Sequence, residues 1–168
     1  MKVDLRPLSR KVGEQIHFQF KDVPVSDRIH QEAPWLTNIS EVSGRVENQG
    51  EKYFLNGNIS YHVDDACDRC LVEISENESI PFAEPITIDE VNGNPSEEMQ
   101  INAGCIDLSD LVEDYILLAN PSQRLCKENC LGLCPLCGCD LNVKQCSCSS
   151  EEYNPKFEKL AALKDRLF

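Results

Sequence analysis

Residues 53–63, with the sequence YFLNGNISYHV, alternate apolar or small residues with more polar ones. Alternation with a period of two is typical of a β-strand that buries one face and exposes the other. The residues on the apolar face are Tyr53, Leu55, Gly57, Ile59, Tyr61 and Val63. This stretch therefore predicts a long, half-buried strand.

The same period occurs on both sides of this strand. Upstream, Ile16, Phe18 and Phe20 alternate with polar residues, as do Val42, Gly44 and Val46. Gln49-Gly50 is a plausible hairpin turn into the long strand. Downstream, residues 71–79 and 80–88 continue an extended apolar pattern. Pro81 and Pro85 indicate an edge or irregular strand there, because proline has no amide hydrogen to donate.

Helical patterns follow a turn-rich segment, residues 91–104, which we expect to be a mobile loop. Apolar residues at helical spacing predict a helix over 108–119, capped by Asp107 and stopped by Asn120-Pro121. One face of this helix should cover the sheet. A last helix should start at Asn154-Pro155 and continue over 157–167. The predicted fold is α+β: a mainly antiparallel β N-terminal part, one covering helix, a C-terminal zinc-knuckle segment and a terminal helix.

The ten cysteines are concentrated in two places, with seven in residues 126–148 and a Cys-x2-Cys pair at residues 67–70. Closely spaced cysteine pairs are typical of tetrahedral thiolate metal sites. Pairing them predicts one site from Cys134, Cys137, Cys146 and Cys148, and a second from Cys67, Cys70, Cys126 and Cys130. Two cysteines are left over. We expect Cys105 to be a buried free thiol, and Cys139 could replace Cys137 or Cys146.

The spacings favour zinc, as two ions, over iron. The Cys130-x3-Cys134-x2-Cys137 spacing is used by radical enzymes, but these need a barrel after the motif and only 31 residues follow Cys137. The gaps of three residues also differ from the ferredoxin pattern. Four thiolates leave zinc no open position for a substrate, which predicts structural sites.

No other group of residues resembles an active site. His17, His30 and His62 are scattered and expected to be solvated, and Asp64, Asp65 and Asp68 fit a solvated turn. We therefore expect no enzyme activity and no small-molecule substrate.

Charge divides the chain into two parts. Residues 1–120 hold 9 Lys and Arg against 23 Asp and Glu, a net charge of −14, whereas 121–168 hold 7 against 6. This predicts an acidic β-rich body over 1–120 and a cysteine-rich metal-binding segment over 121–168. The acidic body suits a basic protein partner. RNA contact would have to use the second part, where Arg124, Lys127 and Lys144 flank the cysteines.

The first 13 residues are polar and charged, and no run of eighteen apolar residues occurs. We therefore expect a cytoplasmic protein that does not contact membranes.

Together these motifs resemble the YceD family of large ribosomal RNA subunit accumulation proteins. The similar parts are Cys67-Asp-Arg-Cys70-Leu71, Ile106-Asp107-Leu108 with Pro121, and the string from Cys130 through Gly132-Leu-Cys-Pro-x-Cys-Gly-x-x-Leu-Asn142 to Cys146-x-Cys148. The resemblance implies a noncatalytic factor in the synthesis, processing or stability of large-subunit ribosomal RNA. The implied partner is a basic ribosomal protein or a pre-ribosomal large-subunit particle, with local RNA contact through 121–168. The alternatives are an iron–sulfur electron-transfer protein and a zinc-thiolate redox sensor.

Overall fold

The computed structural model describes residues 1–50, 52–87 and 104–148. The chain divides into two compact units. The first consists of Met1–Asp65 and Glu73–Gln123, and the second of Ala66–Val72 and the chain from Arg124 onward. In chain order the elements are β1 (Lys2–Asp4), a 3-10 helix (Arg6–Arg10), β2 (Gln15–Val23), α1 (Asp27–Glu32), β3 (Leu36–Asn48), β4 (Lys52–Ala66), β5 (Glu73–Thr87), β6 (Cys105–Asp107) and α2 (Ser109–Ala119).

The first unit is built on a four-stranded sheet in the order β2-β3-β4-β5. Strands β2 and β3 pair antiparallel, as do β3 and β4, so that Gly44 lies opposite both Phe18 and Gly57. The predicted turn at Gln49-Gly50 joins β3 to β4, and the side chain of Asn48 accepts the Gly50 N–H at 2.8 Å. This mainly antiparallel sheet with its two helices has the α+β character that the sequence predicts.

Among the described residues, the apolar core lies in the first unit and contains the alternating residues of the sheet, such as Val42, Val46, Leu55 and Ile59. Helix α2 buries Val112 and Ile116. Its Tyr115 ring lies 6.0 Å from that of Phe82 on β5. The prediction that this helix covers the sheet is therefore confirmed.

The start of α2 differs from the prediction. Helix α2 begins at Ser109, and Leu108 rather than Asp107 is the flanking residue. Asp107 belongs to β6, which pairs with β1 in a two-stranded sheet. Its carboxylate still accepts the Ser109 N–H at 3.0 Å. Strands of three residues are too short for a periodic pattern, so the sequence predicts neither of them.

After Cys70 the predicted edge strand is confirmed, but its bounds differ from the two runs predicted over 71–79 and 80–88. Residues 73–87 form one continuous strand at the sheet edge, with Pro81 and Pro85 inside it. Leu71 lies outside the strand and has a left-handed φ of 60°. The loop predicted over 91–104 lies outside the described residues except for Gly104, and the predicted terminal helix lies wholly outside them.

The side chain of His62 is half-buried rather than solvated. Its Nδ1 lies 2.9 Å from Asn77 Oδ1 and its Nε2 3.1 Å from Ser75 Oγ, so it bridges β4 to β5. The bond to Asn77, with a smaller contribution from the Asp64 carboxylate, raises the pKa of His62. The ring therefore stabilises the outer face of the sheet.

Candidate metal centres

Eight of the cysteines form two groups of four in the second unit. The first cysteine set is Cys67, Cys70, Cys126 and Cys130, and the second cysteine set is Cys134, Cys137, Cys146 and Cys148. Within each set the four Sγ atoms lie within 4.8 Å of one another. The structure thus brings the predicted ligands together in the two groups that their spacing suggested. That they bind metal stays a prediction at this point.

A tight turn between β4 and β5 positions Cys67 and Cys70. The Leu71 N–H donates to the Cys67 carbonyl at 2.9 Å, and the Cys67 N–H donates to the Val72 carbonyl at 2.9 Å. The left-handed φ of Leu71 closes this turn. Both thiols consequently reach the same small volume.

Asp68 and Arg69 connect this turn to the segment that follows α2. The Asp68 carboxylate accepts the Arg124 N–H at 2.6 Å, while the Asp68 N–H donates to the Arg124 carbonyl at 2.9 Å. The Arg69 guanidinium donates to the Cys130 carbonyl at 3.0 Å. These bonds bring the pair from residues 67–70 against Cys126 and Cys130, which are far away in sequence.

Gly132 allows a close backbone approach beside the first cysteine set. The Leu133 N–H donates to the Arg69 carbonyl at 2.9 Å. Gly132 has a φ of +74°, and a Cβ there would lie 2.9 Å from the same carbonyl oxygen. Only glycine combines this left-handed conformation with so little space.

The second cysteine set starts from a knuckle at residues 134–139. The Gly138 N–H donates to the Cys134 carbonyl at 2.9 Å, and the Cys134 N–H donates to the Cys139 carbonyl at 2.8 Å. Cys134 is buried, whereas Cys137 and Cys148 are exposed. The thiol of Cys139 lies in hydrogen-bonding range of the thiols of Cys137 and Cys146. It is therefore a fifth thiol next to the set.

The sulfur separations in the first cysteine set fit a tetrahedral ion. Cys67 Sγ lies 3.8 Å from Cys130 Sγ, and Cys70 Sγ lies 3.6 Å from Cys126 Sγ. Zinc–sulfur bonds of about 2.3 Å place neighbouring sulfurs of a tetrahedron about 3.8 Å apart. A disulfide would need about 2.05 Å. All ten cysteines are free thiols, so the donors that a thiolate site requires are present.

Backbone amides favour the thiolate form of cysteines in both sets, most strongly at Cys67 and Cys134. At Cys67, burial opposes ionisation, but three backbone N–H donors outweigh it and lower the pKa to about 6. At Cys134, the amides of Cys137 and Leu136 lower the pKa to about 6. Cysteine binds metal as the thiolate, so these N–H donors favour cation binding by each set.

Neighbouring thiols have the opposite effect within the same sets. Partial desolvation, followed by the bond with the Cys70 thiol, raises the pKa of Cys126 to about 12. The bond with the Cys137 thiol, followed by partial desolvation next to the other thiols, raises the pKa of Cys148 to about 12. Four adjacent thiolates repel one another, so complete ionisation of a set needs a bound cation.

The structure corrects two expectations about residues outside the two sets and adds three residues that the sequence did not place near the cysteines. Cys105 is half-buried in β6 rather than fully buried. Arg124 is only 6% exposed, so it cannot present its charge to RNA as expected. Asp68, Arg69 and Asn142 contact the cysteine segments but were not predicted to do so. All three lie inside the motif strings, and only the folded chain reveals their partners.

The class defined by this fold and site is an antiparallel α+β protein with two four-cysteine sets. Residues 55–164 match the family described as Large ribosomal RNA subunit accumulation protein YceD. This chain therefore belongs to the YceD family, as the resemblance predicted. The matched range contains all eight cysteines of both sets.

Several known proteins are similar to this chain. An uncharacterized protein of Mycobacterium leprae is 29% identical over 84% of this chain and 67% of its own length. One of Mycobacterium tuberculosis is 26% identical over 97% of this chain and 81% of its own. The chloroplastic Large ribosomal RNA subunit accumulation protein YCED homolog 1 of Arabidopsis thaliana is 31% identical over 37% of this chain and 19% of its own length.

No solved structure matches the chain. Within residues 1–50, 52–87 and 104–148, no helix has the length and apolar character needed to span a membrane.

Proposed function

We propose that this protein is a noncatalytic factor in the synthesis, processing or stability of large-subunit ribosomal RNA, with structural zinc sites in its second unit. The observation that carries the proposal is the family match over residues 55–164. The family's description names accumulation of the large ribosomal RNA subunit, and the Arabidopsis relative carries the same description. A cytoplasmic location is part of the proposal.

Each cysteine set is proposed to bind one zinc ion through its four thiolates. Among the described residues of the second unit, the buried side chains are those of Cys67, Cys70, Cys130, Cys134 and Arg124. The part of the second unit that the structure describes thus has no apolar core like that of the first unit. Structural zinc contributes about 10–16 kcal/mol of apparent binding free energy in small domains, which is comparable with the stability of a whole domain. Metal binding would therefore stabilise this described part in place of an apolar core.

The metal content of the purified protein tests this part of the proposal. Anaerobic purification followed by elemental mass spectrometry should find about two zinc ions per chain and little iron. The solution should be colourless, because zinc has a filled d shell. A brown protein containing iron would overturn the zinc assignment and favour the electron-transfer alternative.

Charge supports a basic partner. Residues 1–120 have a net charge of −14. Each zinc ion with four thiolates would add a charge of −2, so metal binding would make the net charge of the protein more negative. We propose that this surface binds a basic ribosomal protein or a pre-ribosomal large-subunit particle. Lys127 and Lys144 are exposed and are the cations proposed for local contact with ribosomal RNA.

A deletion strain tests the cellular role. Loss of the gene should lower the ratio of mature large-subunit to small-subunit ribosomal RNA, and a plasmid copy should restore it. A Cys105→Ser copy should also restore the ratio, because Cys105 belongs to neither set. A Cys134→Ser copy should fail. An unchanged ratio in the deletion strain would overturn the proposed role.

Co-purification tests the partner. A tagged protein should retain a basic ribosomal protein or large-subunit precursor in moderate salt, and release it at high salt, because charge attraction is screened. Recovery of naked RNA with no ribosomal protein would contradict the proposed partner.

The fifth thiol favours one alternative, a zinc-thiolate redox sensor at the second cysteine set. Exposed Cys137 lies within reach of Cys139. Hydrogen peroxide could oxidise these two thiols to a disulfide while it is reduced to two waters, and the lost ligand would release zinc. Stoichiometric peroxide should then release one zinc from wild type but not from Cys139→Ser. Equal release from both chains would remove this alternative.

A further inference from the structure

The side chain of Asn142 touches a sulfur of the first cysteine set although it lies in the chain segment of the second. Its Nδ2 is 3.4 Å from Cys130 Sγ. Along the chain, Asn142 lies between Cys139 and Cys146, so its position depends on how the second cysteine set closes. One amide group therefore belongs to the surroundings of both sets.

Four hydrogen bonds, including the one to sulfur, hold Asn142 in a defined orientation. Its Oδ1 accepts the Leu131 N–H at 3.0 Å. Its Nδ2 and its backbone N–H both donate to Asp140 Oδ1 at 2.8 Å. The reversed amide would place oxygen against both the carboxylate and the sulfur. The N–H group must therefore face Cys130.

Asp140 is in turn fixed by the knuckle of the second cysteine set. It forms an antiparallel bridge with Leu133, and the next residue, Leu141, donates its N–H to the Gly132 carbonyl at 2.9 Å. The preceding residue, Cys139, accepts the Cys134 N–H at 2.8 Å. The Asp140 carbonyl also accepts the N–H groups of residues 143 and 144 at 3.2 Å. A closed knuckle thus holds the Asn142 amide in place.

We propose that Asn142 couples the two cysteine sets, so that zinc in the second set raises the zinc affinity of the first. The inference rests on the proposed function, in which both sets bind zinc. An N–H donated to a metal-bound thiolate stabilises its negative charge, and groups that orient metal ligands typically change affinity about 10–100-fold. Zinc in the second set orders the segment that carries this donor before the first set fills. By linkage, zinc in the first set must raise the affinity of the second by the same factor.

A double-mutant cycle on the full-length chain tests the coupling. Four chains are compared: wild type, Asn142→Ala, a variant in which Cys137 and Cys148 are both serine, and the combination. Zinc is titrated against a competing chelator, and alkylation with mass spectrometry shows which cysteines each ion protects. This reports the affinity of the first cysteine set separately.

We expect the first set to lose about 10–100-fold in zinc affinity when Asn142 is alanine. The zinc affinity of the first set should fall by a similar factor when the second set cannot bind zinc. The combined variant should show no further loss, because both changes remove the same donor.

Two further variants separate coupling from a general structural effect. Asn129→Ala removes an exposed asparagine that directly precedes Cys130 and should leave both affinities unchanged. Asn142→Asp keeps the acceptor for the Leu131 N–H but turns a carboxylate oxygen toward the Cys130 thiolate. This near-isosteric change should weaken the first set at least as much as alanine, because like charges repel.

The outcomes distinguish this inference from the proposed function. If both sets bind zinc and the first set is indifferent to the second, the coupling is wrong while the zinc sites stand. If the losses in the combined variant multiply, Asn142 does not carry the coupling, and the inference is again wrong. If neither set protects its cysteines in wild type, the zinc sites and the coupling are both overturned.

Discussion

Gly132 offers the sharpest test of how the first cysteine set is built. Alanine in the left-handed region costs about 1–2 kcal/mol. At Gly132 the new Cβ would also lie 2.9 Å from the Arg69 carbonyl oxygen, which accepts the Leu133 N–H at 2.9 Å. Displacing that carbonyl should cost about 1 kcal/mol more, the net value of one hydrogen bond. Gly132→Ala should therefore cost about 2–3 kcal/mol.

The destabilisation by Gly132→Ala should lower the zinc affinity of the first cysteine set, because the four ligands come together only when this segment folds. About 2–3 kcal/mol corresponds to about 30–150-fold weaker apparent zinc binding by the first set. Competition with a chromophoric chelator, combined with cysteine alkylation, measures it. Far-UV circular dichroism should show that the sheet of the first unit is retained.

Gly138 provides a matched control. It lies in the same unit with a φ of +70°, but nothing lies within 4 Å of the position that a Cβ would take. Gly138→Ala should therefore show only the conformational cost of about 1–2 kcal/mol. If Gly138→Ala weakens zinc binding by the first cysteine set as much as Gly132→Ala does, the close approach to the Arg69 carbonyl is not the constraint that we infer.

Three other predictions concern metal and pH. Cys134→Ser should lower the melting temperature and the zinc content together, measured by calorimetry and elemental analysis. Chelation should speed amide hydrogen exchange in residues 124–148 but not in 36–48, because the apolar core lies in the first unit. His62→Gln should destabilise the protein more at about pH 5.5 than at about pH 8 in denaturant titrations. Folding raises the pKa of His62. The protonated ring therefore contributes its whole stabilisation at pH values below the pKa in the unfolded chain, about 6.5. This contribution is lost as the pH rises through the higher pKa of the folded protein.

Each of these has a clear contrary result. Unchanged zinc content in Cys134→Ser would remove Cys134 from the ligands. Exchange that speeds up equally in both segments would mean that the first unit also depends on metal. A pH-independent effect of His62→Gln would mean that the bond from the ring to Asn77 does not favour the charged form.

The sequence was sufficient for features that depend on local patterns. The alternation in residues 53–63 predicted β4, and Gln49-Gly50 predicted its hairpin with β3. Helical spacing placed α2 to within one residue at its start. These predictions succeed because periodicity and turn chemistry are short-range properties of the chain. The division at residue 120 and the metal ligation of the eight cysteines stay predictions.

Other features could not be predicted because they depend on residues far apart in sequence. The short strands β1 and β6 pair Lys2 with Asp107. Arg124 is buried, and its backbone N–H bonds to Asp68, neither of which a net-charge argument can detect. The contact of Asn142 with Cys130 likewise requires two folded segments.

The sequence by itself determined the donors, because eight of its ten cysteines have spacings that suit two tetrahedral sites. It also determined the acidic first part and one long amphipathic strand. Only the tertiary structure showed how the sulfurs of the first set meet, because residues 67–70 reach Cys126 and Cys130 through hydrogen bonds that join the side chains of Asp68 and Arg69 to the backbone of Arg124 and Cys130. The short spacing within a cysteine pair determines that its two thiols can bind the same ion. The partners across some sixty residues are chosen instead by hydrogen bonds and steric fit, which exist only when the chain is folded.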